Sequence, residues 1–255
     1  MGKASAAWGA VLAGSVLFFI IAFSITAFGS YGIPSGARFL AIAFAGFALL
    51  AYVQKEHGAK AAAAGGALGI LFFYAAVQEP YAPTAILSLT MLAAPFWWLG
   101  RKGKNTGKAL AELGITGKKW AREALLGVPL TLAVLLMLLL LFQLYTALGI
   151  ADSDQVMGAI RGVPFYILLL AVAINPFTEE IFFRGFLVPR IGVLPAAAIF
   201  GLSHLSYGSV AEVVSVFFIG LLFGIVFEKR RSLLPVVVSH IIINSAAVYL
   251  MRFAV

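Results

Sequence analysis

The sequence contains no cysteine, and this absence removes disulfide bonds, thiolate metal sites and cysteine nucleophiles from the available chemistry. Charged residues are also scarce: they make up 11% of the 255 residues, whereas 62% are hydrophobic. Soluble domains are only roughly 45 to 50% apolar. The chain therefore has too little polar surface for a soluble protein of this length, and we expect a polytopic membrane protein.

The alternating pattern of a transmembrane barrel strand is also absent, so a backbone in lipid must form its hydrogen bonds within helices. Runs of about 20 apolar residues can cross a hydrocarbon core of about 30 Å. The first run, about 24 residues after Lys3, is longer than a signal-peptide core and is expected to be retained. We predict an all-α protein with about eight or nine transmembrane helices. The apolar runs are 5–28, 36–54, 61–78, 82–100, 125–149, 163–188, the short run 192–207, 210–228 and 233–252.

The net charge of +8 is interpreted as a signal of membrane orientation, because basic residues are enriched in cytoplasmic loops. With the amino terminus in the cytoplasm, only Arg38, Arg161 and Arg252 of the 18 basic residues lie outside. The opposite orientation reverses this ratio. We therefore predict an integral membrane protein with a cytoplasmic amino terminus, in the cell membrane if the source is prokaryotic, and no nucleic-acid partner.

The distribution of charge divides the chain into three predicted parts. Residues 1–100 hold four spans without a buried charge and are interpreted as a scaffold. Residues 101–124 mix seven basic residues with apolar ones such as Leu113 and Trp120, which is typical of a helix on an anionic inner leaflet. We interpret this part as a surface-bound connector, with a lid or substrate-docking surface as the alternative. Residues 125–255 form the predicted core, in which the last four spans carry the chemistry.

Ionisable residues occur deep within three apolar runs of this core. A charge near the bilayer centre costs roughly 2.5 to 3.5 kcal/mol on insertion scales, so such residues indicate a functional site. The sixth run carries Glu179, Glu180 and Arg184. The seventh carries His204 and the ninth carries His240. These side chains are the candidates for a buried reactive site.

The candidate side chains are predicted to lie at similar depths. At about 1.5 Å of rise per residue, Glu179 lies roughly 14 Å from the cytoplasmic end of its helix. His204 lies about 18 Å deep on the same measure, His240 about 10 Å and Asn244 about 16 Å. Because three separate segments agree, we predict that they enclose one polar pocket near the cytoplasmic face.

Spacing within each helix predicts which side chains point together. Residues four apart share a helix face, so Glu180 is expected to pair with Arg184, and His240 is expected to point with Asn244. Glu179 is about 100° from its neighbour around the helix. We therefore expect Glu179 to face the pocket while Glu180 stabilises the buried charge.

These residues contain the parts needed for hydrolysis. A carboxylate balanced between desolvation and a nearby positive charge can accept a proton from water at neutral pH. An adjacent histidine, here His204, can hold the same water or relay its proton. His240 and Asn244 can donate hydrogen bonds to a tetrahedral oxyanion. With Glu179 as the base, the implied reaction is cleavage of an amide bond by activated water, without a covalent enzyme intermediate.

Other intramembrane protease designs are disfavoured by missing motifs. The chain contains neither HExxH nor GxGD, which mark zinc and aspartyl intramembrane proteases respectively. Ser203 and Ser239 precede His204 and His240, but adjacent helical residues are expected to diverge. A serine–histidine dyad is therefore expected only between different helices.

Three motifs occur in order, each on its own apolar run. They are EExxxR at Glu179, Glu180 and Arg184, FxxxH at Phe200 and His204, and HxxxN at His240 and Asn244. In these motifs the chain resembles the CPBP family of intramembrane proteases, which contains the CAAX prenyl endopeptidases and the bacteriocin-immunity Abi proteins. The resemblance covers roughly residues 125–255.

The resemblance implies a metal-independent, glutamate-dependent endopeptidase. It implies that Glu179 is the general base, that His204 shares the catalytic water, and that His240 and Asn244 form the oxyanion site. It assigns supporting roles to Glu180, Arg184 and Phe200. The expected partners are membrane lipid and a protein or peptide substrate. In eukaryotic members this substrate is a prenylated CAAX protein cut near its carboxyl terminus, whereas many prokaryotic members have no known CAAX substrate.

Three alternatives stay open from the sequence. Glu179, His204 and His240 equal the three-ligand pattern of a catalytic zinc site, so a zinc peptidase is one alternative. A proton-coupled transporter is another, since buried glutamate and histidine can form a proton relay. A non-catalytic membrane scaffold or immunity protein is the third.

Overall fold

The computed structural model describes residues 82–115, 117, 119–163 and 165–254, and no β-strand occurs among them. The all-α prediction is therefore confirmed for this part of the chain. The chain divides into two compact units, Met1–Trp98 and Leu99–Val255, and the second contains most of what is described. The first three predicted spans, 5–28, 36–54 and 61–78, lie outside the described residues.

The described residues form eleven α-helices joined by short turns. They are α1 Ala82–Arg101, α2 Thr106–Glu112, α3 Trp120–Leu125, α4 Gly127–Ala147, α5 Ser153–Arg161, α6 Phe165–Ala173, α7 Asn175–Glu180, α8 Val188–Ile191, α9 Val193–Leu202, α10 Val210–Arg230 and α11 Leu234–Tyr249. Two π-helical segments, Ile181–Leu187 and Leu250–Ala254, and one 3₁₀ turn, Leu205–Tyr207, complete the described regular structure.

Three helical stretches of the described part are long and apolar enough to cross a membrane. They are Trp120–Ala147, Val210–Arg230 and Leu234–Phe253. These stretches coincide with the fifth, eighth and ninth apolar runs of the sequence. The exposed side chains of α4 include Leu132, Leu136 and Leu140, which is the composition that a helix presents to lipid. The chain is an integral membrane protein.

The sixth and seventh predicted spans differ from simple crossings. Within the sixth, α6 ends at Ala173 and α7 begins with Asn175 and Pro176, because proline has no N–H to continue the helical ladder. The π-helical segment follows directly. The seventh predicted run forms the apolar stretch Val193–Tyr207, made of α9 and the 3₁₀ turn, which is shorter than the three long helices.

Glycine permits close packing of α9 against α10. A Cβ placed on Gly224 would lie 2.7 Å from a Val193 methyl, and one on Gly220 would lie 3.1 Å from Ala197. The four-residue spacing of Gly220 and Gly224, a GxxxG pattern, lets α10 approach α9 closely. This packing positions α9, the short helix that carries Phe200.

Helix α4 holds α11 in a similar way. A Cβ on Gly127 would lie 2.6 Å from Val238. One turn later, the Thr131 hydroxyl donates a buried hydrogen bond of 3.1 Å to Ser239 Oγ. Because Ser239 and His240 are neighbours, the contact with α4 also fixes the helix from which His240 projects.

The basic connector packs against the core at α2. Leu113, just after α2, is fully buried, and the Gly114 carbonyl accepts a hydrogen bond of 3.0 Å from the Leu233 amide. Arg190 of α8 lies 3.0 Å from Glu112. The connector is therefore attached both to the start of α11 and to α8.

Gly185→Ala is expected to lower the free energy of unfolding by about 1–3 kcal/mol. The added Cβ would lie 2.7 Å from the backbone oxygen of Leu113, which cannot rotate away as a side chain would. Thermal unfolding in detergent measures the loss.

Gly158→Ala in α5 is the matched control, because its new methyl would meet nothing within 4 Å. Alanine is favoured over glycine within a helix by roughly 0.5–1 kcal/mol, so this variant is expected to be as stable as the parent or slightly more so. Equal destabilisation of Gly158→Ala and Gly185→Ala would contradict a close contact at Gly185.

Candidate active site

Glu180 and Arg184 form a buried ion pair across one helical turn. Arg184 Nη1 donates to Glu180 Oε1 at 3.0 Å, and the two side chains are 1% and 0% exposed. This is the pair that the four-residue spacing predicts. Neither charge has access to water, so each depends on the other for compensation.

Aromatic rings surround the Arg184 guanidinium. Its Cζ lies 4.1 Å from the ring centroid of Phe200 and 5.3 Å from that of Phe223. These distances are within the range of cation–π attraction, which is strongest where water is excluded. Phe200 therefore has a direct physical contact with the charged cluster. No sequence motif marks Phe223, which reaches the same cluster from α10.

His240 lies between the two carboxylates of the glutamate pair. Its Nδ1 is 2.8 Å from Glu180 Oε1, a hydrogen bond between two buried side chains. Its Nε2 is 3.8 Å from Glu179 Oε2. Spacing along the chain does not indicate the Glu180 contact, because 60 residues separate the partners. Tertiary packing thus places α11 directly against α7.

His204 lies just beyond the end of α9, in the turn before the 3₁₀ segment. Its Nδ1 is 3.0 Å from the Phe200 carbonyl oxygen, which can only accept, so Nδ1 carries the hydrogen. Its ring stacks on Tyr207 at a centroid distance of 5.9 Å. The remaining ring nitrogen, Nε2, is therefore the one with a lone pair. The sequence analysis did not predict Tyr207 as a partner of His204. The two residues are three apart, and this spacing could have indicated the contact.

Ser203 approaches His204 more closely than its sequence position predicts. Its Oγ is 3.2 Å from His204 Nδ1, whereas adjacent residues were expected to diverge. That expectation holds for helical residues, but α9 ends at Leu202. The Ser203 hydroxyl donates to the Phe200 carbonyl at 2.7 Å. Because Nδ1 carries a hydrogen, it cannot take one from this serine, and the contact is not a nucleophilic dyad.

Phe200 connects the two histidines of the site. Its ring centroid lies 5.1 Å from that of His204 and 6.2 Å from that of His240. The structure therefore brings His204, His240 and the glutamate pair into one cluster. Asn244 lies one turn beyond His240 on α11 and is partly buried.

Glu179, His204 and His240, the ligands of the zinc alternative, lie in one region of the structure. Within the described ranges, no group of three histidine, aspartate or glutamate side chains is arranged to hold a metal ion. The Nδ1 atoms of both His204 and His240 are engaged by protein oxygens. Nε2 is therefore the nitrogen of each histidine that is left to bind a metal, and the zinc alternative stays open.

A π-helical segment, Ile181–Leu187, begins directly after the glutamate pair and contains Arg184. Such segments are rare and are frequently found at functional sites. The sequence shows no sign of this one. Its Gly185 is the residue that allows the Leu113 backbone to approach.

Comparison with known proteins agrees with the motifs. The model of a family described as "Type II CAAX prenyl endopeptidase Rce1-like" matches residues 161–246, about a third of the chain, and this segment contains all three motifs. Neither a curated protein nor a solved structure matches the chain. The family match confirms the resemblance predicted from the motifs: residues 161–246 are similar to the Rce1-like type II CAAX prenyl endopeptidases.

Proposed function

We propose that the protein is an intramembrane endopeptidase that hydrolyses a peptide bond with water activated by Glu179 and His204. The family match supports a protease in general. The observation that carries the specific proposal is the position of His240, whose ring nitrogens face Glu180 and Glu179 at 2.8 Å and 3.8 Å. A fully buried carboxylate and a partly exposed one on either side of a single imidazole are costly to place and are typical of proton-transfer chemistry.

Glu179 is the carboxylate suited to act as the base. Its side chain is 21% exposed, whereas that of Glu180 is completely buried. Of the two carboxylates, Glu179 is the one that water and a substrate can reach. In the proposed reaction Glu179 accepts a proton from that water and then delivers it to the leaving amine, so no proton is lost to the solvent.

His204 is suited to hold the same water. Since its Nδ1 hydrogen is donated to the Phe200 carbonyl, its Nε2 is an acceptor for a water hydrogen. The stacked Tyr207 and the edge of Phe200 restrict the ring to this orientation. His204 and Glu179 would thereby orient the attacking oxygen from two directions.

His240 and Asn244 are the proposed donors to the oxyanion. They share one face of α11, and the developing negative charge would lie beside the Nε2 of His240. Asn244 can donate from its side-chain amide, and His240 can donate from Nε2 when both of its ring nitrogens carry hydrogen. The Thr131–Ser239 hydrogen bond attaches α11 to α4 and so helps to hold His240 in position.

The proposed substrate is a protein or peptide with a CAAX carboxyl terminus, cut at the cytoplasmic face in contact with membrane lipid. The description of the matching family supports this substrate class. The predicted orientation, with the amino terminus in the cytoplasm, places the pocket nearer the cytoplasmic surface. A prenyl group on the substrate would lie in the bilayer beside the protein.

The test is peptide hydrolysis by the protein purified in detergent. The parent is expected to release the carboxyl-terminal tripeptide from a prenylated CAAX peptide, and His204→Ala is expected to be inactive with an unchanged melting temperature. Cleavage of an unprenylated peptide at the same rate would exclude recognition of the lipid. A folded parent that cleaves neither peptide would contradict the proposal.

The same assay distinguishes the zinc alternative. A metal-independent enzyme is expected to retain its rate in 1,10-phenanthroline, and metal analysis is expected to find no stoichiometric zinc. Loss of activity that zinc alone restores would replace the proposed mechanism with a metal-dependent one.

A further inference from the structure

We propose that Glu180 is a positioning residue for His240, which it holds in one tautomer and one orientation by accepting the hydrogen of Nδ1. The partnership with Arg184 is predictable from spacing, but the contact with His240 is an additional role. The kinetic part of this inference rests on the proposed function. The structural part, concerning the location of a hydrogen, does not.

The pairing of Glu180 with Arg184 determines where this hydrogen lies, because it favours the ionised carboxylate. Glu180 Oε1 lies 2.8 Å from His240 Nδ1 and 3.0 Å from Arg184 Nη1. An ionised carboxylate accepts hydrogen bonds and cannot donate them, so the hydrogen resides on Nδ1. Arg184 compensates the charge of Glu180, which has no exposed surface. The buried ion pair therefore supplies a fixed acceptor to the histidine.

The rest of the ring is held by apolar contacts. Phe200 and Phe223 lie at centroid distances of 6.2 Å and 5.9 Å from His240. These rings limit where the imidazole can lie, but they cannot select between its two nitrogens. The hydrogen bond to Glu180 makes that selection, and it directs Nε2 toward Glu179.

This selection has a consequence for the oxyanion site. With the Nδ1 hydrogen committed to Glu180, neutral His240 presents a lone pair at Nε2 and has no hydrogen to donate there. Donation to an oxyanion from Nε2 therefore uses the imidazolium form. The positive charge of that form would be balanced by Glu180 on one side and Glu179 on the other.

Nitrogen NMR of the histidines tests the assignment without any substrate. The chain has three histidines, His57, His204 and His240, so ¹⁵N-histidine labelling yields a spectrum that the His57→Gln and His204→Gln variants assign. The parent is expected to carry a hydrogen on Nδ1 of His240. If the parent spectrum showed a neutral His240 with its hydrogen on Nε2, the proposal would be wrong. This result needs only the parent protein and does not depend on whether any variant folds.

Glu180→Gln should alter this spectrum, because a glutamine amide can donate to Nδ1 and stabilise the opposite tautomer. Glu179→Gln is the matched control. It makes the same chemical change one residue away, at a carboxylate that faces Nε2, and should leave the Nδ1 hydrogen in place. An unchanged His240 spectrum in Glu180→Gln would contradict the positioning role.

A double-mutant cycle separates this role from the ion pair with Arg184. Glu180→Gln is expected to lower kcat by about 10²–10⁴-fold, the scale on which loss of an orienting carboxylate affects a catalytic histidine, with little change in KM. In a His240→Gln background, the same change is expected to cost less than about 3-fold, because residues that act as one unit are not additive. Equal losses in both backgrounds would assign Glu180 a purely structural role.

An inactive parent would contradict the proposed function, and the NMR result would still decide the position of the hydrogen.

Discussion

Glu179→Gln is expected to reduce the rate of peptide hydrolysis by about 10²–10⁴-fold, the usual contribution of a general base. Glutamine has almost the same shape as glutamate but cannot take a proton from water. The side chain is 21% exposed and makes no short ion pair, so the protein is expected to fold and insert normally. Initial rates with a prenylated CAAX peptide, together with the melting temperature, measure the two effects separately.

Glu228→Gln is the matched control for this prediction. It makes the same change at an exposed carboxylate near the end of α10, away from the histidines. Its rate is expected to stay within about twofold of the parent, since surface substitutions rarely affect a protein strongly. Full activity in Glu179→Gln would eliminate Glu179 as the base, whereas equal losses in both variants would indicate a general effect of removing a carboxylate.

Arg184→Met is expected to produce the largest loss of stability, about 3–5 kcal/mol, because it leaves Glu180 buried and uncompensated. Methionine retains much of the volume between Phe200 and Phe223 but loses the cation–π contacts. A loss of this size corresponds to a melting temperature lower by roughly 6–20 °C for a chain of this length. Thermal unfolding in detergent and the yield of inserted protein are the measurements.

Two further variants identify the cause of that loss. Glu180→Gln combined with Arg184→Met removes both charges, and is expected to recover part of the stability of the single variant. Arg122→Met removes an exposed arginine from α3 and is expected to change stability by no more than about 0.5 kcal/mol. If Arg184→Met unfolds at the parental temperature, the buried pair does not contribute to stability as proposed.

Much of the site was predictable because its signals are local. The Glu180–Arg184 pair follows from four-residue spacing, since a helix brings such residues onto one face. The expected meeting of His204 and His240 follows from their similar depths, and the structure places both rings against Phe200. The catalytic roles of these residues and of Asn244 stay predictions.

The contacts that were not predictable depend on the three-dimensional arrangement of separate segments. The hydrogen bond between Glu180 and His240 joins positions 60 residues apart and depends on how far α11 is rotated about its axis. The short hydrogen-bonding distance between Ser203 and His204 depends on where α9 ends. A pattern of apolar residues does not specify either quantity, because rotations and end points are selected by packing.

The sequence by itself determined the membrane class, the three long spans of the described core, the motif residues and the family resemblance of residues 161–246. Composition and spacing are sufficient for these, because lipid requires apolar helices and a helix repeats every 3.6 residues or so. Only the tertiary structure decided that α9 ends at Leu202, that a π-helical segment follows Glu180, and that both carboxylates face one imidazole. Those features result from packing between helices, where a shift of about 1 Å or a small rotation changes which polar atoms meet.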